Sequence, residues 1–253
     1  DFFMLLVTLV TSFATSTVAQ PDSIKITDID NMNIALTRKY LYRYIYIMLI
    51  LINSSFLDFK LSILRNKKTS NSLFRQTMNE VSYLIAAEVL KYLKFKQISV
   101  QTPIKKTSGK ELSQSIVIVP ILRAGLGLVE GFVKLLPDAE KGHIGLYRDE
   151  QTYKPVEYLC KLPKIKNKMF IVLDPMLATG NSCVEAINLL KKSGVSINNI
   201  LLVSLVAAPE GIKNVKKSHK GLRLFTCSVD QGLNKKKFIV PGLGDAGDRY
   251  MGT

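Results

Sequence analysis

The 253-residue chain predicts an α/β fold, a mostly parallel sheet covered by helices on both faces. Three observations predict it. Short runs at 116–119, 169–173 and 200–206 are apolar almost throughout rather than alternating, as in strands buried on both sides. Stretches with helical spacing separate such runs, and that alternation builds parallel sheets. A hydrophobic content of 47% supplies a real core and leaves no disorder signature.

The elements follow in order. The pattern becomes regular from Phe59 onward, and Ser70 is placed to cap a helix. Its residues Phe74, Met78, Val81, Ile85 and Val89 recur at helical spacing. The β-branched run 116–119 ends at Pro120 and reads as a buried strand. Residues 127–136 look helical, 143–147 strand-like, and 169–173 form a second buried strand. The spacing then predicts a helix over 184–190, a strand over 200–206 and a helix over 209–217. No internal repeat is present.

Residues 1–55 differ from the rest. An apolar run at 2–10 precedes Thr17-Val18-Ala19, a small-residue triplet like a signal-peptide cleavage site, yet no Lys or Arg precedes the run. A second apolar run, 44–52, is shorter than the roughly 20 residues a bilayer crossing needs. The expectation is an N-terminal extension over 1–55, or residues wrongly joined to the coding sequence, lying outside the core of a domain over 56–253. No membrane partner is expected.

The net charge is +15, from 35 Lys+Arg against 20 Asp+Glu. Residues 1–55 carry Asp1, Asp22, Asp28 and Asp30 against Lys25, Arg38, Lys39 and Arg43, so the excess lies wholly in 56–253. A basic domain suits nucleic acid, a membrane surface or a polyanionic small molecule. Lysine clusters such as Lys235-Lys236-Lys237 read as a solvated face, and nucleic acid is not the expected partner. The cysteines Cys160, Cys183 and Cys227 are odd in number and show no CxxC spacing. That argues against a disulfide framework or structural zinc and fits a reducing, cytoplasmic compartment.

The most informative stretch is Asp174-Pro175-Met176-Leu177-Ala178-Thr179-Gly180-Asn181-Ser182, which follows an apolar strand and opens a helix. Ligands of such sheets bind beyond the carboxyl ends of strands. A helix start presents unpaired N–H groups and a positive dipole end, which suits a phosphate. Thr179 and Ser182 add hydroxyl donors, Gly180 permits close backbone approach, and Asn181 tolerates the left-handed region. Asp174 is placed to accept hydrogen bonds from sugar hydroxyls. Taken alone, such a stretch is more often an ordinary βα turn with a capping hydroxyl. A Walker loop is excluded because Gly109-Lys110 is followed by Glu111 and lacks the first glycine; Gly125-Leu126-Gly127 is only a fragment of a dinucleotide fingerprint. Cys183 stands near a helix start, where a thiol can be acidified, although a small packing residue is the plainer reading. His143 and His219 have no triad or metal-ligand partners nearby in the sequence.

Three further segments accompany that loop: Pro120-Ile121-Leu122-Arg123-Ala124-Gly125, His143-Ile144-Gly145-Leu146-Tyr147-Arg148-Asp149-Glu150, and Ile239-Val240-Pro241-Gly242-Leu243-Gly244-Asp245-Ala246-Gly247-Asp248-Arg249. The four, in this order, resemble the uracil phosphoribosyltransferase family from about Lys60 to Thr253. The resemblance implies a type I phosphoribosyltransferase fold with a small hood over the base. It implies transfer of phosphoribosyl from PRPP (5-phosphoribosyl 1-diphosphate) to uracil. By that similarity Asp174 to Ser182 hold the phosphoribosyl part, and Arg123 and Arg148 hold the diphosphate. Ile239, Gly244, Asp245 and Ala246 line the uracil pocket, with Asp245 also reaching PRPP; Arg123, Arg148, Asp174 and Asp245 are the catalytic set. Mg²⁺ is implied through PRPP itself, with no dedicated protein metal site. GTP is a possible effector, and a homo-oligomer (dimer or tetramer) is the implied assembly.

The residue types fit that chemistry. Arginine forks match diphosphate oxygens bidentately, and their charge acts most as the glycosidic C–O bond breaks. A hood reading uracil through backbone groups would leave a buried donor unpaired opposite cytosine. Gln151-Thr152-Tyr153-Lys154-Pro155, after Asp149-Glu150, reads as an arm closing over PRPP. Two departures stand out. Asn181 occupies a position usually glycine in the family, and Ser54-Ser55-Phe56-Leu57-Asp58 replaces a His/Pro-containing lead-in, which bears on N-terminal packing. A non-catalytic, nucleotide- or RNA-binding domain is the alternative that the basic surface motivates; retention of both arginines, the loop and Asp245 weighs against it.

Overall fold

The computed structural model describes residues 49–148 and 155–253. All described residues belong to one compact unit. The expected arm over 149–154 lies outside the described residues.

Fifteen strands and six α-helices occur among the described residues, and they alternate as the sequence predicts. Strand β1 (Leu49–Leu51) leads into α1 (Ser55–Arg65) and α2 (Asn71–Leu90), then the hairpin β2 (Phe95–Gln101) and β3 (Lys106–Leu112). Next come β4 (Ser115–Leu122), a 3₁₀ turn (Ala124–Leu128), α3 (Val129–Leu135), β5 (Glu140–Lys141), β6 (His143–Arg148) and β7 (Pro155–Lys161). The second half holds β8 (Lys168–Leu173), β9 (Met176–Leu177), α4 (Asn181–Lys192), β10 (Ile200–Val203), β11 (Val206–Ala207) and α5 (Pro209–Ser218). It closes with β12 (Arg223–Thr226), β13 (Ser228–Val229), β14 (Gly232–Leu233), β15 (Ile239–Val240) and α6 (Ala246–Met251).

The main sheet has the order β1-β12-β10-β8-β4-β6-β7, with β5 also on β4. Every pair is parallel except β6–β7. Alternation along each strand divides the core into two layers. Ile116, Ile118, Met169, Ile171, Leu201 and Val203 face α1, α2 and α3, where Phe74, Met78, Val81, Ile85 and Val89 are fully buried. Val117, Val119, Phe170, Val172, Ile200 and Leu202 face α4 and α5. Pleated strands send successive side chains to opposite faces, so near-continuous apolar runs were needed. The chain leaves β4 toward β6 on one side and returns to β8 on the other. That reversal opens a crevice beyond their carboxyl ends.

Three sequence expectations change. The strand expected to end at Pro120 continues to Leu122. Pro120 has no N–H, and the ladder toward β5 and β6 is interrupted there, resuming at Ile121 and Leu122. The expected strand 200–206 breaks at Ser204. The amides of Leu205 and Val206 both donate to Pro175 O (3.1 and 3.0 Å), and those of Cys227 and Ser228 to Leu205 O (3.1 and 3.2 Å). Two amides on one carbonyl is a bulge pattern. It steps β8, β10 and β12 together into the small parallel ladder β9, β11, β13. The third change concerns residues on the N-terminal side of 56. Leu49–Leu51 pairs with Leu224–Thr226, Ile52 is buried, and Ser54 Oγ accepts from Leu57 N (3.1 Å) to cap α1. The core therefore takes in residues 49–55.

Candidate active site

Beyond the ends of β4 and β6 lies an open cleft of about 490 Å³ lined by Leu122, Arg123, Ala124, Leu146, Tyr147, Tyr158, Asp245, Gly247 and Asp248. It joins residues more than 100 positions apart, which local spacing alone does not reveal. Arg123 is exposed; its nearest acidic partner is Asp248, at 3.3 Å, with both side chains more than half exposed. Such a pair is weak, so the guanidinium is available to a diphosphate. The Leu122–Arg123 peptide is cis. Arg148 ends β6, paired with Pro155 at the loop end of the β6–β7 hairpin.

Asp174 follows β8 directly, one strand over from Arg123. Met176 N donates to its Oδ1 and the Cys183 thiol to its Oδ2, both at 3.3 Å. Burial pushes its carboxyl up to about 6, against the pull of those two hydrogen bonds. Cys183 is 1% exposed, and burial followed by the Asp174 charge pushes its thiol well above the usual range. The acidified-thiol reading fails here: desolvation outweighs the nearby helix start.

Pro175 to Ser182 do not line the cleft. Met176 and Leu177 form a strand of the small ladder, with Leu177 fully buried, so Leu177 offers only backbone groups. Gly180, not Asn181, takes the left-handed conformation (φ 78°) and caps α4, which starts at Asn181. A Cβ on Gly180 would lie 2.8 Å from Gly211 O, and one on Gly211 2.4 Å from Ala178 O. The start of α5 thus presses directly on the loop. Asn214 adds two hydrogen bonds, from Nδ2 to Thr179 O (2.9 Å) and to Asn181 Oδ1 (2.8 Å). The departure at 181 thereby acquires a local role: the side-chain amide ties the loop to α5. Neither Gly211 nor Asn214 was foreseen, because both act across a crossover.

The hood is the β14–β15 hairpin and the loop running into α6. Ile239 (4% exposed) and Ala246 (2%) turn their side chains into the core, while Gly244 and Asp245 are exposed. Asp245 caps α6, its Oδ1 accepting from Asp248 N at 3.0 Å. Arg249 points inward instead. It donates to Leu243 O (2.7 Å), Asn66 O (2.8 Å) and Leu64 O, and stacks 4.3 Å over the Phe74 ring. Arg65, at the end of α1, forks onto Asp230 with two 2.7 Å bonds and donates to Gly242 O (2.7 Å). Asp230 also accepts from Ser228 Oγ (2.7 Å) and Gly242 N (2.8 Å). Burial would raise its carboxyl, but the hydrogen bonds and charge of Arg65, with Ser228 and Gly242, hold it below the usual range. Arg65 and Asp230 are anchors the sequence reading missed.

His219 is buried, bonded through Nε2 to Val184 O (3.1 Å), and burial lowers its pKa. Neither it nor His143 lines the cleft. Among the described residues no three His, Cys, Asp or Glu side chains gather as a metal cage, and no helix is long and apolar enough to cross a membrane.

A mostly parallel sheet whose strand order reverses beside this cleft, with a small separate hood, defines the type I phosphoribosyltransferase fold. The family model described as uracil phosphoribosyltransferase matches residues 51–253. The uracil phosphoribosyltransferase of Streptococcus salivarius is 50% identical over 204 residues, 80% of this chain and 97% of that one. That of Clostridium botulinum is 54% identical over 196 residues, 77% of this chain and 93% of its own length. Among solved structures, the AQ2163 protein from Aquifex aeolicus aligns with a TM-score of 0.74 at 36% identity, over 80% of this chain and 97% of that one. This chain belongs to the uracil phosphoribosyltransferase family.

Proposed function

We propose that the chain transfers the phosphoribosyl group of PRPP to uracil N1, giving UMP and diphosphate. The observation that carries the reading is the cleft that both Arg123 and Asp245 line, at the end of β4, whose neighbour β8 leads into the loop before α4. A 5′-phosphate suits the N–H groups opening α4 and the Thr179 and Ser182 hydroxyls. Asp174, when ionised, accepts from the ribose hydroxyls. Arg123 and Arg148 neutralise the diphosphate as the C1–O bond breaks and its electron pair leaves with oxygen. Uracil N1 then bonds to C1, and its proton passes to solvent water. The base is held by backbone groups of Ile239, Gly244 and Ala246, since the side chains of Ile239 and Ala246 are committed to the core. Catalysis is mainly orientation and charge stabilisation.

Mg²⁺ fits this donor set as a guest of PRPP, whose oxygens would hold it as magnesium commonly is held; the protein carboxylates that line the cleft are those of Asp245 and Asp248. It would supply charge neutralisation on the diphosphate. Among the described residues the β2–β3 hairpin pairs with no third strand, and it exposes Phe95 (49%) and Ile104 (92%). That favours a homo-oligomer, because an isolated hairpin is marginal in water. The three cysteines are free, which suits the cytoplasm.

The test is UMP formation from uracil, PRPP and Mg²⁺ by the full chain, with and without GTP, beside Asp245→Ala. Turnover that the variant loses supports the reading; a folded protein with no turnover under any of these conditions overturns it.

A further inference from the structure

Cys183 sits in the first turn of α4 and packs with Val172, Leu177 and Ala186. Its Sγ is 3.3 Å from Asp174 Oδ2, and Met176 N is the other donor to that carboxyl. Among the described residues no Lys, Arg or His pairs with Asp174 from α4, β9 or β10. The neighbouring strand contributes only Val203 O, which accepts from Asp174 N (3.0 Å). One thiol and one amide therefore oppose the protonation that burial favours in a carboxylate proposed to accept from sugar hydroxyls. A hydrogen bond to an ionised acceptor gains strength over a neutral one, which offsets the weakness of a thiol donor.

We infer that Cys183 is a positioning residue for the reaction proposed above: its thiol fixes the Asp174 carboxylate and keeps it an acceptor for the ribose hydroxyls of PRPP. The inference rests on that reading of Asp174. The energetics agree, since burial raises the Asp174 carboxyl while the Cys183 bond pulls it down. The thiol itself stays protonated, and so remains a donor, because burial and the adjacent carboxylate raise its pKa.

The experiment uses the full chain and needs no turnover. PRPP affinity is measured by calorimetry at pH 6 and pH 8 for the wild type, Cys183→Ala and Cys183→Ser, with circular dichroism to establish folding. In Cys183→Ala, PRPP binding is expected to weaken about fivefold to tenfold at pH 6 and clearly less at pH 8, as the carboxyl titrates higher by about one pH unit. Cys183→Ser, which keeps a donor, should restore most of the affinity at pH 6. The infrared S–H stretching band lost in Cys183→Ala should lie at low frequency in the wild type and move up in Asp174→Ala. Equal losses at both pH values, serine behaving as alanine, or an S–H band indifferent to Asp174→Ala would each overturn the assignment. A protein that binds PRPP with this pH pattern yet forms no UMP would sink the proposed reaction and leave the role of Cys183 standing.

Discussion

Replacing Arg65 with alanine should loosen the hood without touching the cleft. Arg65 is 24% exposed and Asp230 3%, and they share two 2.7 Å bonds. Removing one partner of a buried pair costs about 3–5 kcal/mol, because the other charge is left buried and alone. Here Ser228 Oγ and Gly242 N still reach Asp230, and Arg65 is partly solvated, so about 3 kcal/mol is expected. Urea denaturation at pH 7 measures it. Since the lost contact to Gly242 O sits in the loop preceding Gly244 and Asp245, KM for uracil should rise several-fold while KM for PRPP changes little. The pH dependence has a definite sign. A carboxyl held below its unfolded value of about 3.9 contributes stability above that pH and loses it on acidification through the folded pKa. The Arg65→Ala deficit should therefore be full at pH 7 and shrink toward pH 3. A double-mutant cycle with Asp230→Asn isolates the pair. A loss under 1 kcal/mol, or a coupling near zero, would refute the anchoring argument.

Arg123→Ala should lower kcat/KM for PRPP by about a hundredfold or more with little change in Tm, because its ion pair with Asp248 is exposed; a large drop in Tm would contradict this. Gly211→Ala places a Cβ 2.4 Å from Ala178 O, so both Tm and PRPP affinity should fall together; a Tm within 1 °C of wild type would show that the contact yields. Asp174→Asn removes a carboxyl raised to about 6. A raised carboxyl favours the folded state below its unfolded pKa and loses that contribution as pH rises through 6, so the variant should gain in Tm over the wild type between pH 5 and pH 8; no widening of that gap would refute the shift. Asp245→Asn, unlike Asp245→Ala, should keep the cap on α6 and about 1 kcal/mol of stability with it, while both lose UMP formation; equal melting curves for the two would discount the cap.

Much of this architecture was readable without coordinates. Phe74, Met78, Val81, Ile85 and Val89 share one helix face because a 3.6-residue period admits no other arrangement. The runs around Ile118, Ile171 and Leu202 had to be central strands, since both sides of the pleat are apolar. Asp174 to Ser182 showed a strand end meeting a helix start, and the order of four segments carried the family. Other features depended on partners far along the chain. The shared bulge at Pro175 and Leu205 arises from amides of neighbouring strands converging on one carbonyl, which no local pattern encodes. Arg65 and Asp230 are 165 positions apart, and Asn214 reaches Asn181 across a crossover; each looks like an ordinary surface polar residue when read alone. Local periodicity and turn chemistry thus determined which elements form and where the loop between β8 and α4 lies. Long-range packing decided which arginine anchors the hood, which faces the cleft, and that Cys183 sits bonded to Asp174 in a desolvated pocket, because burial and hydrogen-bond partners are properties of the folded assembly.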